Sequence, residues 1–320
     1  MKTMRAAVFC GDGRIEVRRE RLPVPAPDEV LVRLEGSGVC ASNLPIWAGR
    51  PWFEYPLAPG TPGHEGWGEV AALGAQVDGC ALGERVALLS GRAYAEFDVA
   101  KADALARIPD RFAGLPIPGE PLACAMNIFR RSDIRPGQQV AVVGVGFIGA
   151  LLIQLAVAAG AQVIALSRRE YARAVATRCG ASHALPIDSV HGASGAVMEL
   201  THGIGCARVV EAAGVQESLD IASAIAAEGG RLVIAGYHQD GLRQVNMQQW
   251  NWRGLDVVNA HERDPAVATR GLRDAMDALV SGRLDPFALL THRYTLGQLP
   301  RAFAAMEQRP DGFIKATVNA

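Results

Sequence analysis

Residues 139–160 read QVAVVGVGFIGALLIQLAVAAG, and the interpretation of this stretch decides the architecture of the whole chain. Val140 to Val143 is a short apolar, branched run with the length of a buried strand. Gly144, Gly146 and Gly149 follow as G-x-G-x-x-G, and an apolar helix opens at once, with Phe147 and Ile148 inside the motif. Glycines in this pattern let the backbone turn tightly, lie against a pyrophosphate and pack helix on strand. The phosphates sit at the helix N-terminus, where amide donors and the dipole favour an anion. Gly-rich turns occur in many folds; the strand before this one and the helix after it point to dinucleotide binding.

Toward the C-terminus the alternation continues. Strands are expected at 162–166, 183–187, 208–212, 230–235 and 255–259, with helices at 170–179, 193–201 and 215–226. Such alternation makes a doubly wound parallel sheet, a Rossmann domain. Toward the N-terminus the pattern changes. Short strands at 6–9, 15–18, 29–35 and 66–73 are broken by Pro23, Pro25, Pro27, Gly36 and Gly38, which describes an irregular all-β unit. A helix at 122–131 leads into the alternating part. After Pro265 a helix runs to about Ser281, followed by a helix at 299–308 and a last strand at 313–318. The expected fold is α/β: a β-rich first domain over 1–121, a Rossmann domain over 122–264, and a tail over 265–320 that returns to the first domain.

Composition narrows the function classes. The chain has 320 residues, enough for two domains, with a net charge of -1 and 49% hydrophobic residues. Lys and Arg are dispersed without a basic block, which argues against a nucleic-acid partner. Met1 to Cys10 reads as an opening strand and not as an apolar leader. The most membrane-like stretch, Gly149 to Leu166, is interrupted by Gln154 and Gln162 and is better explained as helix plus strand. Six cysteines, Cys10, Cys40, Cys80, Cys124, Cys179 and Cys206, lack paired spacing, which favours reduced thiols. A cytoplasmic protein is expected.

Two stretches of the first domain carry metal-type chemistry. Gly38-Val39-Cys40-Ala41-Ser42-Asn43 places a thiol on a turn after a strand, and Gly63-His64-Glu65-Gly66 places imidazole and carboxylate at the mouth of another. Thiolate, imidazole and carboxylate are three good zinc ligands, and a catalytic zinc keeps a fourth position open. Residue types alone leave the alternative that Cys40 is a core thiol and His64 a hydrogen-bonded loop residue.

The G-V-C-x-S and G-H-E-x-x-G-x-V segments, their spacing and the later G-x-G-x-x-G together resemble the zinc-dependent medium-chain alcohol and polyol dehydrogenases. The likeness extends to the closing Arg309-Pro310-Asp311-Gly312-Phe313-Ile314-Lys315. It implies a GroES-like β domain completed by the tail, a Rossmann domain, and an active site in the cleft between them. It implies that Cys40, His64 and Glu65 are catalytic zinc ligands. Glu120, in a Glu-Pro-Leu segment similar to the sorbitol dehydrogenase branch, would lie beside the metal, as a ligand or through water; its alternative is a helix N-terminal carboxylate. Ser42 matches the hydroxyl that passes the alcohol's proton outward. Lys315 matches a basic residue near the cofactor pyrophosphate, with a solvated strand-end charge as the alternative. Homodimers or homotetramers are expected by the same resemblance, the dimers through the last strand of the Rossmann sheet.

The sequence departs from that family at three places. No four-cysteine lobe follows Gly83-Glu84-Arg85-Val86, so one zinc is expected and not two. Pro45 stands where relatives often carry a relay histidine. Asn43 stands where an aspartate usually supports the zinc-bound histidine, which would loosen the metal on the order of tenfold or more. For the cofactor, the second Rossmann strand ends Ser167-Arg168-Arg169 without the carboxylate that binds a ribose 2′-hydroxyl. Two guanidiniums suit a 2′-phosphate, so NADP(H) is expected over NAD(H). The expected activity is hydride transfer between NADP(H) and a secondary alcohol or ketone, with a polyol, sugar or cyclitol favoured by Glu120. Two rival readings remain. One is a zinc-free NADPH-dependent enone or quinone reductase, whose members generally lack the Cys and Gly-His-Glu pair. The other is a cofactor-binding sensor without catalysis, suggested by Asn43 and Pro45.

Overall fold

The computed structural model describes residues 2–320. The chain divides into two compact units, Met1–Ala123 with Asp264–Val280 and Pro286–Ala320, and Cys124–Arg263 with Ser281–Asp285. In chain order the first unit opens with β1 (Thr3–Gly11), β2 (Arg14–Arg21), β3 (Glu29–Gly38), helix α1 (Leu44–Trp47), β4 (Gly66–Leu73), β5 (Arg85–Leu88), β6 (Phe97–Lys101) and β7 (Leu105–Arg107). Helix α2 (Gly119–Ser132) leads to β8 (Gln139–Val143), α3 (Phe147–Ala158), β9 (Gln162–Leu166), α4 (Glu170–Arg178) and β10 (His183–Leu185). Then come α5 (Val190–Leu200), β11 (Cys206–Glu211), α6 (Gln216–Ile225), β12 (Ala226–Ile234), α7 (Met247–Arg253) and β13 (Asp256–Asn259). The tail holds α8 (Pro265–Val280), β14 (His292–Thr295), α9 (Leu299–Gln308) and β15 (Ala316–Asn319).

In the first unit β3 is the organising strand. Val30, Val32 and Leu34 recur with the two-residue period of a pleated strand and pack with Val70, Val86 and Leu88. The sheet runs β14-β15-β3-β4-β5-β7, with β6 also on β3. β15 pairs antiparallel to β3, Gly38 opposite Thr317, while β4 pairs on the other side, Ser37 opposite Gly66. The tail is thus stitched into the β unit. A second core seals it: Phe303 of α9 meets Phe9 edge-on at 5.5 Å and stacks on Trp47 at 5.8 Å.

The second unit is an all-parallel sheet in the order β10-β9-β8-β11-β12-β13. The chain winds outward one way from β8 and then the other, which gives a doubly wound Rossmann sheet with its switch point between β8 and β11. α3 is apolar on nearly every face because it is buried, with Ala150, Leu151, Leu152, Ile153 and Ala156 inside. Among the described residues no helix is long and apolar enough to cross a membrane; the apolar stretch at 149–166 is α3 followed by β9.

Some boundaries differ from expectation. Residues 44–47 form a short helix that no sequence pattern marks, with Pro45 in its first turn, a position that needs no amide donor. The closing strand begins at Ala316 and not at residue 313, because the Phe313 amide bonds Pro310 O in a turn. β12 begins at Ala226, where the end of α6 passes straight into the strand.

Candidate functional site

The register of β3 with β4 and β15 gathers distant residues at one end of the sheet. Cys40 follows the end of β3, His64 and Glu65 precede the start of β4, and Lys315 precedes the start of β15. Backbone bonds lock the junction: Gly38 N donates to Glu65 O at 3.1 Å and Val39 N to Ala316 O at 2.9 Å. As a result Cys40, His64 and Glu65 each offer a ligand atom, all within 4.8 Å of one another. No other such cluster occurs among the described residues.

Each side chain is oriented by its neighbours. His64 Nδ1 lies 2.9 Å from Pro62 O, a pure acceptor, so Nδ1 carries the hydrogen and Nε2 is left for a ligand. Glu65 is fully buried, and its Oε1 accepts from Lys315 Nζ at 2.6 Å. Ser42 Oγ lies 3.2 Å from Cys40 Sγ. Asn43 is buried and accepts from the Tyr94 hydroxyl at 3.1 Å, which pins the turn carrying Cys40 and Ser42. Gly38 lets the Glu65 carboxylate come in close, since a Cβ there would lie 1.8 Å from Glu65 Oε2.

The electrostatics call for a cation. Burial works against charge on His64, yet the Cys40 sulfur and the charges of Glu120 and Glu65 outweigh it and lift its pKa to about 10. Burial also opposes charge on Lys315, but Glu65 and Cys40 overcome it and raise its pKa. Glu120, half-buried in the first turn of α2, acts on both. Lys315 and a proton on His64 therefore offset the acidic ligand groups of this cluster, and a metal ion bound at His64 can take the place of that proton. Glu65 Oε2 is buried without a hydrogen-bond partner, a costly state that a metal ligand escapes. The donor set of sulfur, nitrogen and carboxylate oxygen therefore fits zinc.

In the second unit the glycine loop has the shape its sequence implies. Gly144 has φ +105°, and a Cβ there would lie 2.9 Å from Ala213 in the turn after β11. A Cβ on Gly149 would lie 2.1 Å from Gly144 O, so helix and turn meet backbone to backbone. Gly146 differs: its Cβ direction opens onto free space, and as N-cap of α3 it leaves the first helical amides without a side-chain cap. That is the cradle a pyrophosphate needs. Phe147 is buried and Ile148 half-buried at the helix start. Ser167 is buried at the end of β9, Arg168 is exposed and Arg169 caps α4.

The structure adds residues that the sequence alone does not flag. Arg173 donates to the carbonyls of Ser167 and Arg168 at 3.1 and 2.9 Å, adding a third guanidinium to this strand end. Glu217 lies 3.6 Å from Arg168. Pro62 supports His64 by its carbonyl, while Asn43 faces the Tyr94 hydroxyl. Lys315 is not a solvated strand-end charge; its ammonium is turned onto Glu65. Trp47 and Tyr55 are tied to the backbone of the first unit: Trp47 Nε1 donates to Gly13 O at 3.0 Å and the Tyr55 hydroxyl to Ile46 O at 2.5 Å. The pairing of Lys315 with Glu65 depends on sheet register and that of Tyr94 with Asn43 on loop packing, which no local motif records.

Comparison with known proteins agrees with this arrangement. Residues 26–112 match the family described as "Alcohol dehydrogenase GroES-like domain", and residues 148–277 match "Zinc-binding dehydrogenase". A sorbitol dehydrogenase of Halalkalibacterium halodurans is 27% identical, with 93% of this chain and 94% of that protein covered. An L-galactonate-5-dehydrogenase of Escherichia coli is 25% identical, covering 95% of each. Among solved structures, one described as a zinc-binding dehydrogenase of Sinorhizobium meliloti 1021 bound to NADP superposes with a TM-score of 0.85 at 26% identity over 100% of both chains. A GroES-like sheet that gathers Cys40, His64 and Glu65, joined in one chain to a Rossmann sheet with an open glycine cradle, makes this protein an oxidoreductase of the zinc-type medium-chain dehydrogenase/reductase family.

Proposed function

We propose that the protein is a zinc-dependent, NADP(H)-preferring dehydrogenase of secondary alcohols, with polyols, sugars or cyclitols as the substrate class. The observation that carries this reading is the convergence of Cys40, His64 and Glu65 within 4.8 Å. Cys40, His64 and Glu65 would hold the metal with Glu120 beside it, and the ion supplies Lewis-acid polarisation of the substrate oxygen. The nicotinamide supplies the hydride acceptor or donor. Ser42, next to Cys40, takes the hydroxyl proton and passes it on; Pro45 offers no group to continue that path at its position. Lys315 holds Glu65 in place and keeps the buried carboxylate compensated. Pro62 fixes the tautomer of His64.

For the cofactor, Gly144, Gly146, Phe147, Ile148 and Gly149 would cradle the pyrophosphate, and Ser167, Arg168 and Arg169 the ribose 2′-phosphate. The absence of a carboxylate at the end of β9 removes the repulsion a 2′-phosphate would meet. Lys315 remains a proposed pyrophosphate contact, although its ammonium here faces Glu65. The substrate class leans on Glu120 and on relatives that are a sorbitol dehydrogenase and an L-galactonate-5-dehydrogenase.

A homodimer or homotetramer is part of this reading: β13 is one of the two edges of the Rossmann sheet, with Val257 exposed on it and Trp252 exposed in α7 before it. Six free cysteines support a reducing compartment, the cytoplasm. Metal analysis with and without a chelator, paired with assays on polyols, cyclitols, secondary alcohols, enones and quinones using NADP(H) and NAD(H), tests the proposal. Zinc-dependent alcohol oxidation with NADP is expected. Chelator-resistant enone or quinone reduction would replace it with the reductase reading, and NADPH binding without any turnover with the sensor.

A further inference from the structure

Outside the metal cluster, the most elaborate buried polar network surrounds Glu211, the last residue of β11. This carboxylate is fully buried. Its Oε1 accepts from Ala213 N at 2.8 Å, Gly214 N at 2.7 Å and Ser218 Oγ at 2.6 Å, which shapes the turn into α6. Its Oε2 faces His238 Nε2 at 2.9 Å. On the other side of the same ring, Arg243 Nε donates to His238 Nδ1 at 2.8 Å. An arginine Nε–H only donates, so Nδ1 carries the lone pair and His238 stands as the neutral Nε2–H tautomer, donating to Glu211. Arg243 also reaches Gly214 O at 3.0 Å and pairs with Asp240.

The segment from Gly236 to Gln244, which leaves the carboxyl end of β12, is therefore fastened to the turn after β11. A second clasp lies beside it: Gln216 Nε2 donates to Gln244 O at 2.8 Å, and Gln244 N donates to Gln216 Oε1 at 2.9 Å. The approach is close enough that a Cβ on Gly236 would lie 2.5 Å from Glu211 Oε2. The fastened turn is also the wall of the glycine loop, since Ala212 N donates to Val143 O at 2.8 Å and Ala213 lies against Gly144. In an open α/β sheet this carboxyl edge, beside the switch point, is where the ligand sits.

We propose that His238 is a positioning residue for the dinucleotide: clamped between Glu211 and Arg243, it holds the turns after β11 and β12 in the arrangement that the bound cofactor requires. The inference rests on the cofactor reading above. It makes His238 a strut that never touches the reacting atoms. A glutamine carries an acceptor and a donor at nearly the spacing of the two ring nitrogens, so it can restore the strut; a leucine fills the volume and cannot.

The test measures NADPH dissociation constants by fluorescence on the full-length, metal-loaded protein and on His238→Gln and His238→Leu. The leucine variant is expected to weaken NADPH binding roughly tenfold, the size set by stranding a buried carboxylate without one of its donors. Its zinc content and kcat at saturating cofactor stay those of the wild type, and faster amide exchange is confined to 211–216 and 236–244. The glutamine variant recovers most of the affinity. Wild-type affinity in His238→Leu, or a glutamine variant as weak as leucine, overturns the strut. Failure of the wild type to bind any nicotinamide nucleotide overturns the cofactor reading and the strut with it. Should His238→Leu not fold, Arg243→Met removes only the outer clasp; unchanged NADPH affinity in that variant overturns the proposal equally.

Discussion

The glycine loop of the second unit lies in consecutive residues, Gly144 to Gly149, while the metal-type cluster of the first is drawn from Cys40, His64, Glu65 and Lys315. Lys315 and Glu65 stand 250 residues apart in the chain. The loop obtains its shape from local backbone freedom: a positive φ at Gly144 and backbone-to-backbone contact at Gly149. The cluster obtains its shape from register, with β4 and β15 delivering their leading residues to the end of β3. A site of the first kind is written into a motif. A site of the second kind exists only once non-local strands have paired, and its buried charges are stable only as a set.

The two modes of construction predict different failures. The largest effect is expected from Cys40→Ser, which removes the sulfur ligand. Turnover should fall by more than the roughly 10–100-fold that loss of a merely supporting partner causes. NADPH binding should persist by fluorescence titration; retained turnover would dissociate the cluster from the chemistry. Next is Lys315→Met, which strands the buried Glu65. The apo protein should lose about 3–5 kcal/mol in chemical denaturation. Added zinc should restore part of that, because it supplies the missing positive charge.

Two glycines of one motif should then separate. Gly149→Ala drives a Cβ to within 2.1 Å of a carbonyl and should destabilise the protein by about 1–3 kcal/mol, although alanine is ordinarily the better helix former. Gly146→Ala meets open space at φ -95°, so melting should be unchanged while dinucleotide affinity drops. If both variants melt alike, the distinction between a packing and a binding glycine is wrong. Smaller still is Arg168→Ala, expected to weaken NADPH about tenfold and leave NADH nearly untouched, since one charge-assisted bond is removed from an exposed position.

The gentlest test is a slope. His64 in the folded apo protein titrates at about 10, above its ordinary 6.5. A raised folded pKa contributes stability that is complete below 6.5 and is lost as pH climbs through about 10. Denaturation midpoints of the apo protein should decline across that window, and those of the zinc-loaded protein should decline less, because the metal takes the place of the proton on Nε2.

Legibility in the sequence follows the same division. Gln162–Leu166 and Leu299–Gln308 are recovered to the residue, because an apolar run between punctuating residues and an amphipathic period are local signals. The short strands β5 and β7, too brief to show alternation, exist because β4 offers β5 an edge and β5 in turn offers one to β7. Within the site, Cys40, His64 and Glu65 stand out by residue type, and Ser42 only by the family resemblance of its segment. Tyr94 reads as an ordinary aromatic, although it is buried against Asn43, and Pro62 contributes a backbone carbonyl that no side-chain pattern announces.

By itself the sequence determined the Rossmann alternation, the G-x-G-x-x-G pattern, the basic end of β9 and the types of the candidate metal-binding side chains. Each depends on neighbours a few residues away, where steric freedom and chain period dominate. Only the tertiary structure decided that Lys315 belongs to Glu65, that His64 leans on Pro62, and that Glu211, His238 and Arg243 form one strut. Those are partnerships of part-buried and buried polar groups, and the loss of water on burial leaves such groups stable only against specific partners. Which partners they meet is fixed by the register of the strands for Lys315 and by the folded course of the loops for His64, His238 and Arg243.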